Sequence, residues 1–273
     1  MSKGILNRAI VKIYLQPNNL SEVSDELIYG MAFHIKNEID NKWLDIETEY
    51  GYKGYIKKDE EYLVNYSYEQ WLKSRNSIII NNFADVLEKE KIQSRVLITL
   101  PRGAYIQKTG RMSEDKVYNE VILVDGTQGW VKSSFIREKR KFNIESGSKE
   151  EFREDLCKDS LLYLNTQYRW GGKTPEGIDC SGFCSMVYML NGVIIYRDAA
   201  IKDTFPIKKI EMKNMKKGDL IYFPGHIAMY LGDDRYIHSS NRNDGVSINS
   251  LNKNHKEYLE YLAKRILYVG SLF

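Results

Sequence analysis

The chain reads as an α+β fold behind two small all-β modules, and three observations predict it. Short alternating segments separated by turn residues fill the chain up to about residue 140. A capping box and a helix-period apolar stripe then open a new region. Four strand-like segments close the chain, giving helix followed by antiparallel sheet.

In the front half, Ile10–Tyr14, Met31–Ile35, Trp43–Ile46 and Gly54–Ile56 fit strands, the last two around a glycine-rich turn. A second set follows at Val96–Leu100, Ala104–Gln107, Val117–Val124 and Gly129–Val131. The segments WLDIETEYGYKGYI and YNEVILVDGTQGWV both alternate, turn at glycine and end in Gly-aromatic-aliphatic. They suggest a weak internal repeat of about 60 residues, too long for a solenoid and closer to two small barrels. Between the sets, Tyr66 to Glu90 has helical or loop-like character.

Lys139 to Lys149 is a polar linker. Ser148 with Glu151 makes the capping box, and Phe152, Leu156, Tyr163 and Leu164 supply the stripe of a helix over 148–166. After Cys180, the apolar residues Phe183, Val187 and Leu190 recur at helical spacing until Asn191-Gly192, a C-terminal stop. Strands follow at Asp219–Phe223, His226–Leu231, Arg235–Ser239 and Val246–Ile248.

Composition narrows the function classes. The 273 residues suit two or three small domains, and 42% hydrophobic residues suffice for ordinary cores. The net charge of +3 is spread over 40 basic and 37 acidic residues, so no basic footprint for nucleic acid emerges. The longest basic run, Arg137 to Lys141, reads as linker. No window approaches ~18 apolar residues, so no membrane span is expected. The N-terminus has no h-region, and its starting Met argues against a removed leader. Three cysteines are odd in number and too few to staple the chain, which fits a reducing compartment.

The octapeptide GIDCSGFC places Cys180 and Cys184 four residues apart. A zinc site would need a second ligand pair, and none is at hand. Cys157, on the first helix, packs as a small hydrophobe or sits near the surface, and Cys184 belongs to the buried stripe. Cys180 instead follows a loop and starts a helix, where the dipole and free N–H groups favour a thiolate and can hold an oxyanion.

A nucleophilic cysteine needs a base, and the chain has four histidines. His34 lies in the first β-module and His255 in a polar Lys/Asn stretch, and both read as surface or structural residues. His226 and His238 flank a hairpin with Gly232-Asp233-Asp234 at its turn. If Leu231 pairs with Arg235, Ala228 faces His238 and His226 is its diagonal neighbour, about 7–8 Å away. One histidine can then orient the other, which acts as base toward Cys180.

These residues resemble the NlpC-type family of bacterial cell-wall cysteine peptidases. The segments that carry the resemblance are Tyr168-Arg169-Trp170-Gly171-Gly172, the Gly177–Phe183 stretch, Gly218–Ile221 leading into His226–Gly232, and Tyr236–Ser239. The resemblance implies a papain-like core over roughly 148–273. It also implies Cys180 as nucleophile, His226 as base, His238 as its orienting partner and Tyr168 at the oxyanion site. The front half is similar to the bacterial SH3-like barrels of the γ-D-glutamyl-L-diamino-acid endopeptidase branch. The expected division is therefore 1–72 and 73–145 for two SH3-like domains and 146–273 for the peptidase.

Tyr196-Arg197-Asp198-Ala199 resembles a segment of that branch whose Asp helps hold the free amino terminus of L-Ala-γ-D-Glu. Asp198, Asp179 and Ser181 take that role by resemblance, and Tyr52 is the candidate for a barrel tyrosine that closes the pocket. A carboxylate-lined site suits a desolvated ammonium, and a required free amine would spare intact wall.

The expectation is a cytoplasmic, monomeric endopeptidase acting on free murein peptides, with no metal or organic cofactor. Two other readings stay open. The protein could be a secreted or phage-associated hydrolase of intact peptidoglycan, or a non-catalytic wall-binding protein on a peptidase scaffold.

Overall fold

The structure is a computed structural model describing residues 2–58, 62–64 and 68–273. It divides into two compact units, Met1–Lys139 and Arg140–Phe273.

The first unit is built from two seven-stranded antiparallel sheets. One uses Ser2–Leu6, Ile10–Tyr14, Val23–Ile28, Ala32–Ile39, Trp43–Thr48, Lys53–Lys57 and Tyr62–Val64. The other uses Ser77–Ile79, Phe83–Leu87, Val96–Pro101, Tyr105–Met112, Tyr118–Ile122, Gln128–Lys132 and Ile136–Glu138. Numbered along the chain, both sheets have the spatial order third, second, sixth, fifth, fourth, first, seventh. The repeat seen in sequence is therefore a whole sheet. Trp43 and Tyr118 open corresponding strands, so its period exceeds the expected length of about 60 residues.

Two sequence expectations change here. Tyr66 and Ser67 lie outside the described residues. Within the rest of Tyr66–Glu90 only Tyr68–Ser74 is helical, and Ser77–Ile79 and Phe83–Leu87 are strands. Phe83–Leu87 is short and carries Asp85 outward to the Thr99 hydroxyl at 2.6 Å, which disguises its alternation. The basic run Arg137–Lys141 is not all linker, because Arg137 pairs with Ile78 in the last strand of the second sheet.

In the second unit, Ser148 caps the helix Lys149–Leu161 by accepting the Glu151 N–H at 3.3 Å. The helix stops short of residue 166. Leu162, Tyr163 and Leu164 reach back only three residues, and Asn165 turns to φ +64° so that its N–H can bond Val246 O. Leu161, Leu162 and Leu164 are exposed and only Tyr163 is buried, so the apolar stripe that would continue the helix is not kept.

The helix Cys180–Leu190 is buried almost all round and ends at Asn191, with Gly192 at φ +82°. Phe183 meets Tyr163 edge-on at 5.8 Å, and Tyr188 meets Phe152 at 6.2 Å, joining the two helices. Behind them lies a six-stranded antiparallel sheet in the spatial order Lys208–Ile210, Tyr268–Ser271, Leu220–Phe223, His226–Gly232, Arg235–Ser240 and Gly245–Ser250. Helices on one antiparallel sheet are the expected α+β arrangement.

The hairpin register holds over most of its length: Met229 faces Ile237 and Tyr230 faces Tyr236. The expected Leu231–Arg235 pair is absent. A bulge sets Gly232 opposite Arg235 and leaves Leu231 unpaired. Asp233 and Asp234 both have positive φ, the twist a tight hairpin turn prefers. Beyond the bulge the pairs at Tyr230 and Met229 keep the expected register, and the His226 and His238 ring centres come to 4.9 Å. No described helix is long and apolar enough to cross a membrane.

Candidate active site

Cys180 is the first residue of its helix and only 7% exposed. Its position is set by Asp179, whose carboxylate caps the helix through the Gly182 N–H at 2.6 Å. The other carboxylate oxygen accepts the Gly171 N–H at 3.0 Å, while the Asp179 N–H bonds Gly172 O at 3.0 Å. The loop is thereby folded back against the helix start. Gly182 is required by that closeness: a Cβ there would sit well inside contact with the Gly172 carbonyl oxygen.

Arg197 completes the assembly. Its guanidinium, 3% exposed, donates to both Asp179 oxygens, at 3.0 and 2.9 Å, and to Ser181 Oγ at 2.9 Å. A two-pronged charged pair of this kind is among the stronger side-chain contacts and holds its partner in one orientation.

The bases arrive from the sheet. His226 opens its strand after the Pro224-Gly225 turn, where Gly225 takes φ +67°, and its ring rests on buried Phe223 at 5.8 Å. His226 Nε2 lies 2.7 Å from His238 Nδ1, and His238 Nε2 lies 2.9 Å from Asn249 Oδ1. The proton positions follow from Asn249. Its amide nitrogen donates to Glu257 O at 3.1 Å, so its oxygen faces His238. Asn243 Nδ2 and Ser247 Oγ also donate to that oxygen, at 2.8 and 3.2 Å. His238 Nε2 must then carry the proton, leaving Nδ1 to accept from His226 Nε2–H. Neutral His226 therefore keeps a bare Nδ1. The backbone N–H of Ile227, the residue after His226, acts on the Cys180 thiol and favours its charged form, so the sulfur lies by the start of the His226 strand.

Burial dominates the electrostatics. It pushes the Cys180 thiol up to about 11, helped by the Asp179 charge and opposed by the Ile227 and Ser181 N–H groups and by Arg197. Desolvation, with a carboxylate as the helix cap, therefore works against the thiolate that the helix start favours. Burial likewise lowers His226 to about 3, with the His238 charge a lesser cause, and lowers His238 to about 4. The resting pair is thiol and neutral imidazole. Proton transfer between them makes thiolate and imidazolium together, each stabilising the other.

Tyr168 stands near the same sulfur. Burial raises its phenol first, and the Cys180 and Asp179 charges raise it further, so it remains a hydroxyl donor. Cys184 is fully buried and its thiol is raised well above the ordinary value. Cys157 is raised to about 11 by burial. Among the described residues no group of three or more His, Cys, Asp or Glu could hold a metal ion.

The structure thus brings together Cys180, His226, His238, Tyr168, Asp179 and Ser181. Asp198 adjoins Arg197 in sequence, is half-buried, and shares a hydrogen bond with the Tyr196 phenol. Tyr52 belongs to the first unit, in the turn before Lys53–Lys57, with its N–H on Thr48 Oγ1 at 3.0 Å. Sequence reasoning did not single out Arg197 or Asn249. Arg197 was legible only as part of the Tyr196–Ala199 segment. Asn249 carries a polar side chain in the edge strand beside the histidine hairpin, a weak signal. A cleft of about 310 Å³ opens at Tyr168 and His226.

A sequence model of the NlpC/P60 family matches residues 165–265. Over 99% of both chains, the protein is 41% identical to the dipeptidyl-peptidase 6 of Lysinibacillus sphaericus. It is 29% identical to a gamma-D-glutamyl-L-lysine dipeptidyl-peptidase of Bacillus cereus, over 55% of this chain and 46% of that one. A crystal structure of an NlpC/P60 family protein from Bacillus cereus superposes with a TM-score of 0.77 at 18% identity, covering 98% of each chain, which shows a shared fold. With its papain-like helix-and-sheet core, the chain belongs to the NlpC/P60 family of cysteine peptidases.

Proposed function

We propose that the protein hydrolyses the γ-D-glutamyl-L-diamino-acid bond of free murein peptides that begin with L-Ala. The observation that carries this reading is the His226–His238–Asn249 chain, which leaves a bare His226 Nδ1 at the start of the strand whose Ile227 N–H acts on Cys180. Full-length similarity to a dipeptidyl-peptidase supports release of a dipeptide, and the partial match to a gamma-D-glutamyl-L-lysine dipeptidyl-peptidase supports the choice of bond.

In this reading His226 Nδ1 takes the Cys180 proton as the sulfur attacks the γ-carbonyl of D-Glu. The Cys180 backbone N–H and the Tyr168 hydroxyl hold the oxyanion. His226 then protonates the departing amine, and afterwards activates the water that hydrolyses the thioester. His238 and Asn249 act as positioning residues.

Asp198, Asp179 and Ser181 form the amine-recognition set. Because Arg197 already neutralises Asp179, Asp198 supplies the net negative charge. The identical strand orders in the first unit support reading it as two SH3-like modules, with Tyr52 of the first as a substrate contact. We place the protein in the cytoplasm as a monomer that recycles released wall peptides.

The test is hydrolysis of L-Ala-γ-D-Glu-L-Lys and its diaminopimelate counterpart, each with a free or acetylated amino terminus. Release of L-Ala-D-Glu from the free peptides only is expected. Equal cleavage of the acetylated peptides would remove the amine-recognition claim.

A further inference from the structure

Past Tyr168 and His226 the cleft continues to two arginines that the proposed reaction leaves without a task, Arg242 and Arg265. Both are anchored at their bases. Arg242 lies in the short Asn241–Asn243 turn that directly follows the His238 strand, and its N–H donates to Ser240 Oγ at 3.2 Å. Its guanidinium rests 4.5 Å from the centre of the Tyr261 ring, a placement that limits its swing while leaving in-plane N–H groups able to donate. Arg265 follows the helical turn Glu260–Ala263, and its N–H donates at 2.8 Å to the carbonyl of Leu262, a buried residue of the underlying core.

None of the described residues lining this cleft is acidic. Glu260, on the same helical turn as Tyr261, is engaged by Lys264 at 2.6 Å. Asp244, next in sequence to the Asn241–Asn243 turn, offers the cleft's Tyr168 its backbone carbonyl, which accepts the Tyr168 N–H at 3.1 Å. Two cations facing a concave space without a carboxylate focus positive potential there. A guanidinium fork matches a carboxylate in shape as well as charge.

The direction of the cleft identifies the ligand, and here the argument rests on the proposed reaction. His226 protonates the leaving amine and also lines this cleft, so the residue bearing that amine departs along it. We infer that Arg242 and Arg265 form an anion subsite for the free C-terminal carboxylate of the peptide on the leaving-group side of the scissile bond. The enzyme would then read both ends of a short peptide, its amine near Asp198 and its carboxylate at the two arginines.

The experiment compares L-Ala-γ-D-Glu-L-Lys ending in a carboxylate with the same peptide ending in a carboxamide. Turnover is measured with the wild-type protein and with Arg242→Gln/Arg265→Gln. Equilibrium binding of both peptides is measured with Cys180→Ala. The wild type is expected to prefer the acid by about tenfold or more in kcat/KM, chiefly through KM, and Cys180→Ala to bind it correspondingly tighter. The preference collapses in the double variant, whereas Arg242→Lys/Arg265→Lys keeps part of it through charge alone. Equal turnover and equal binding of acid and amide by proteins with both arginines would overturn the subsite, as would a preference that survives the double Gln variant. Tighter binding of the acid without any cleavage would keep the subsite and instead sink the hydrolysis reading.

Discussion

Arg197 and Asp179 form a two-pronged buried ion pair beside the nucleophile, with Nη1–Oδ1 at 3.0 Å and Nη2–Oδ2 at 2.9 Å. The same carboxylate caps the helix that begins with Cys180, so one contact joins the fold's stability to the placement of the sulfur. Removing Arg197 strands a buried charge, at a cost of about 3–5 kcal/mol. Arg197→Met is therefore expected to lower the urea midpoint strongly. Arg197→Met/Asp179→Asn should recover part of the loss, because Asn keeps the capping oxygen without the charge. A double variant no more stable than Arg197→Met would contradict this account.

Gly182 tests the closeness of loop and helix. Its α-carbon faces the Gly172 carbonyl, a backbone atom that cannot rotate away. Gly182→Ala should destabilise by roughly 1–3 kcal/mol through overpacking and lower kcat by shifting Cys180. Wild-type stability and turnover in this variant would show the loop to be looser than described.

Asn249 acts on the reaction through His238. Asn249→Leu releases the tautomer and is expected to lower kcat on the order of tenfold or more while KM changes little. Asn249→Asp puts a carboxylate against His238 Nε2–H and favours the imidazolium, moving the acid limb of kcat/KM to higher pH. An Asn249→Asp profile that overlays the wild type would argue against the relay.

The buried histidines also tie stability to pH. Their folded pKa values, about 3 for His226 and about 4 for His238, lie below the ordinary 6.5. The unfolded chain consequently binds more protons between those limits. Stability is full above about pH 6.5 and falls as pH drops toward about 4, by roughly 3 kcal/mol for His238 alone. Urea unfolding followed from pH 7 to 4 should show this decline, and His238→Gln should flatten it. An unchanged slope in the variant would place the acid sensitivity elsewhere.

Much of the site was legible because it lies on regular elements with local signals. The stripe Phe183, Val187 and Leu190 places Cys180 at a helix start, and period-two alternation puts both histidines on one hairpin face. The bulge at Leu231 was hidden, because a one-residue insertion beside a tight turn leaves no compositional mark. Asn249 contacts His238 only once a third strand has paired with the hairpin, a long-range event. Arg197 reaches Asp179 from an irregular segment that has no period to read. The strand Tyr268–Ser271 inserts between Lys208–Ile210 and Leu220–Phe223, and its few residues carry too little pattern to reveal that crossover. The raised Cys180 thiol follows from burial, which sequence position at a helix N-terminus does not disclose.

The central claim is that Cys180 performs the cleavage, with His226 as its base. Its most direct measurement is mass spectrometry of the products formed from L-Ala-γ-D-Glu-L-Lys by the wild-type protein and by Cys180→Ala. Wild type is predicted to release L-Ala-D-Glu and lysine, and Cys180→Ala to leave the peptide intact while keeping its fold. Undiminished release by Cys180→Ala would contradict the account.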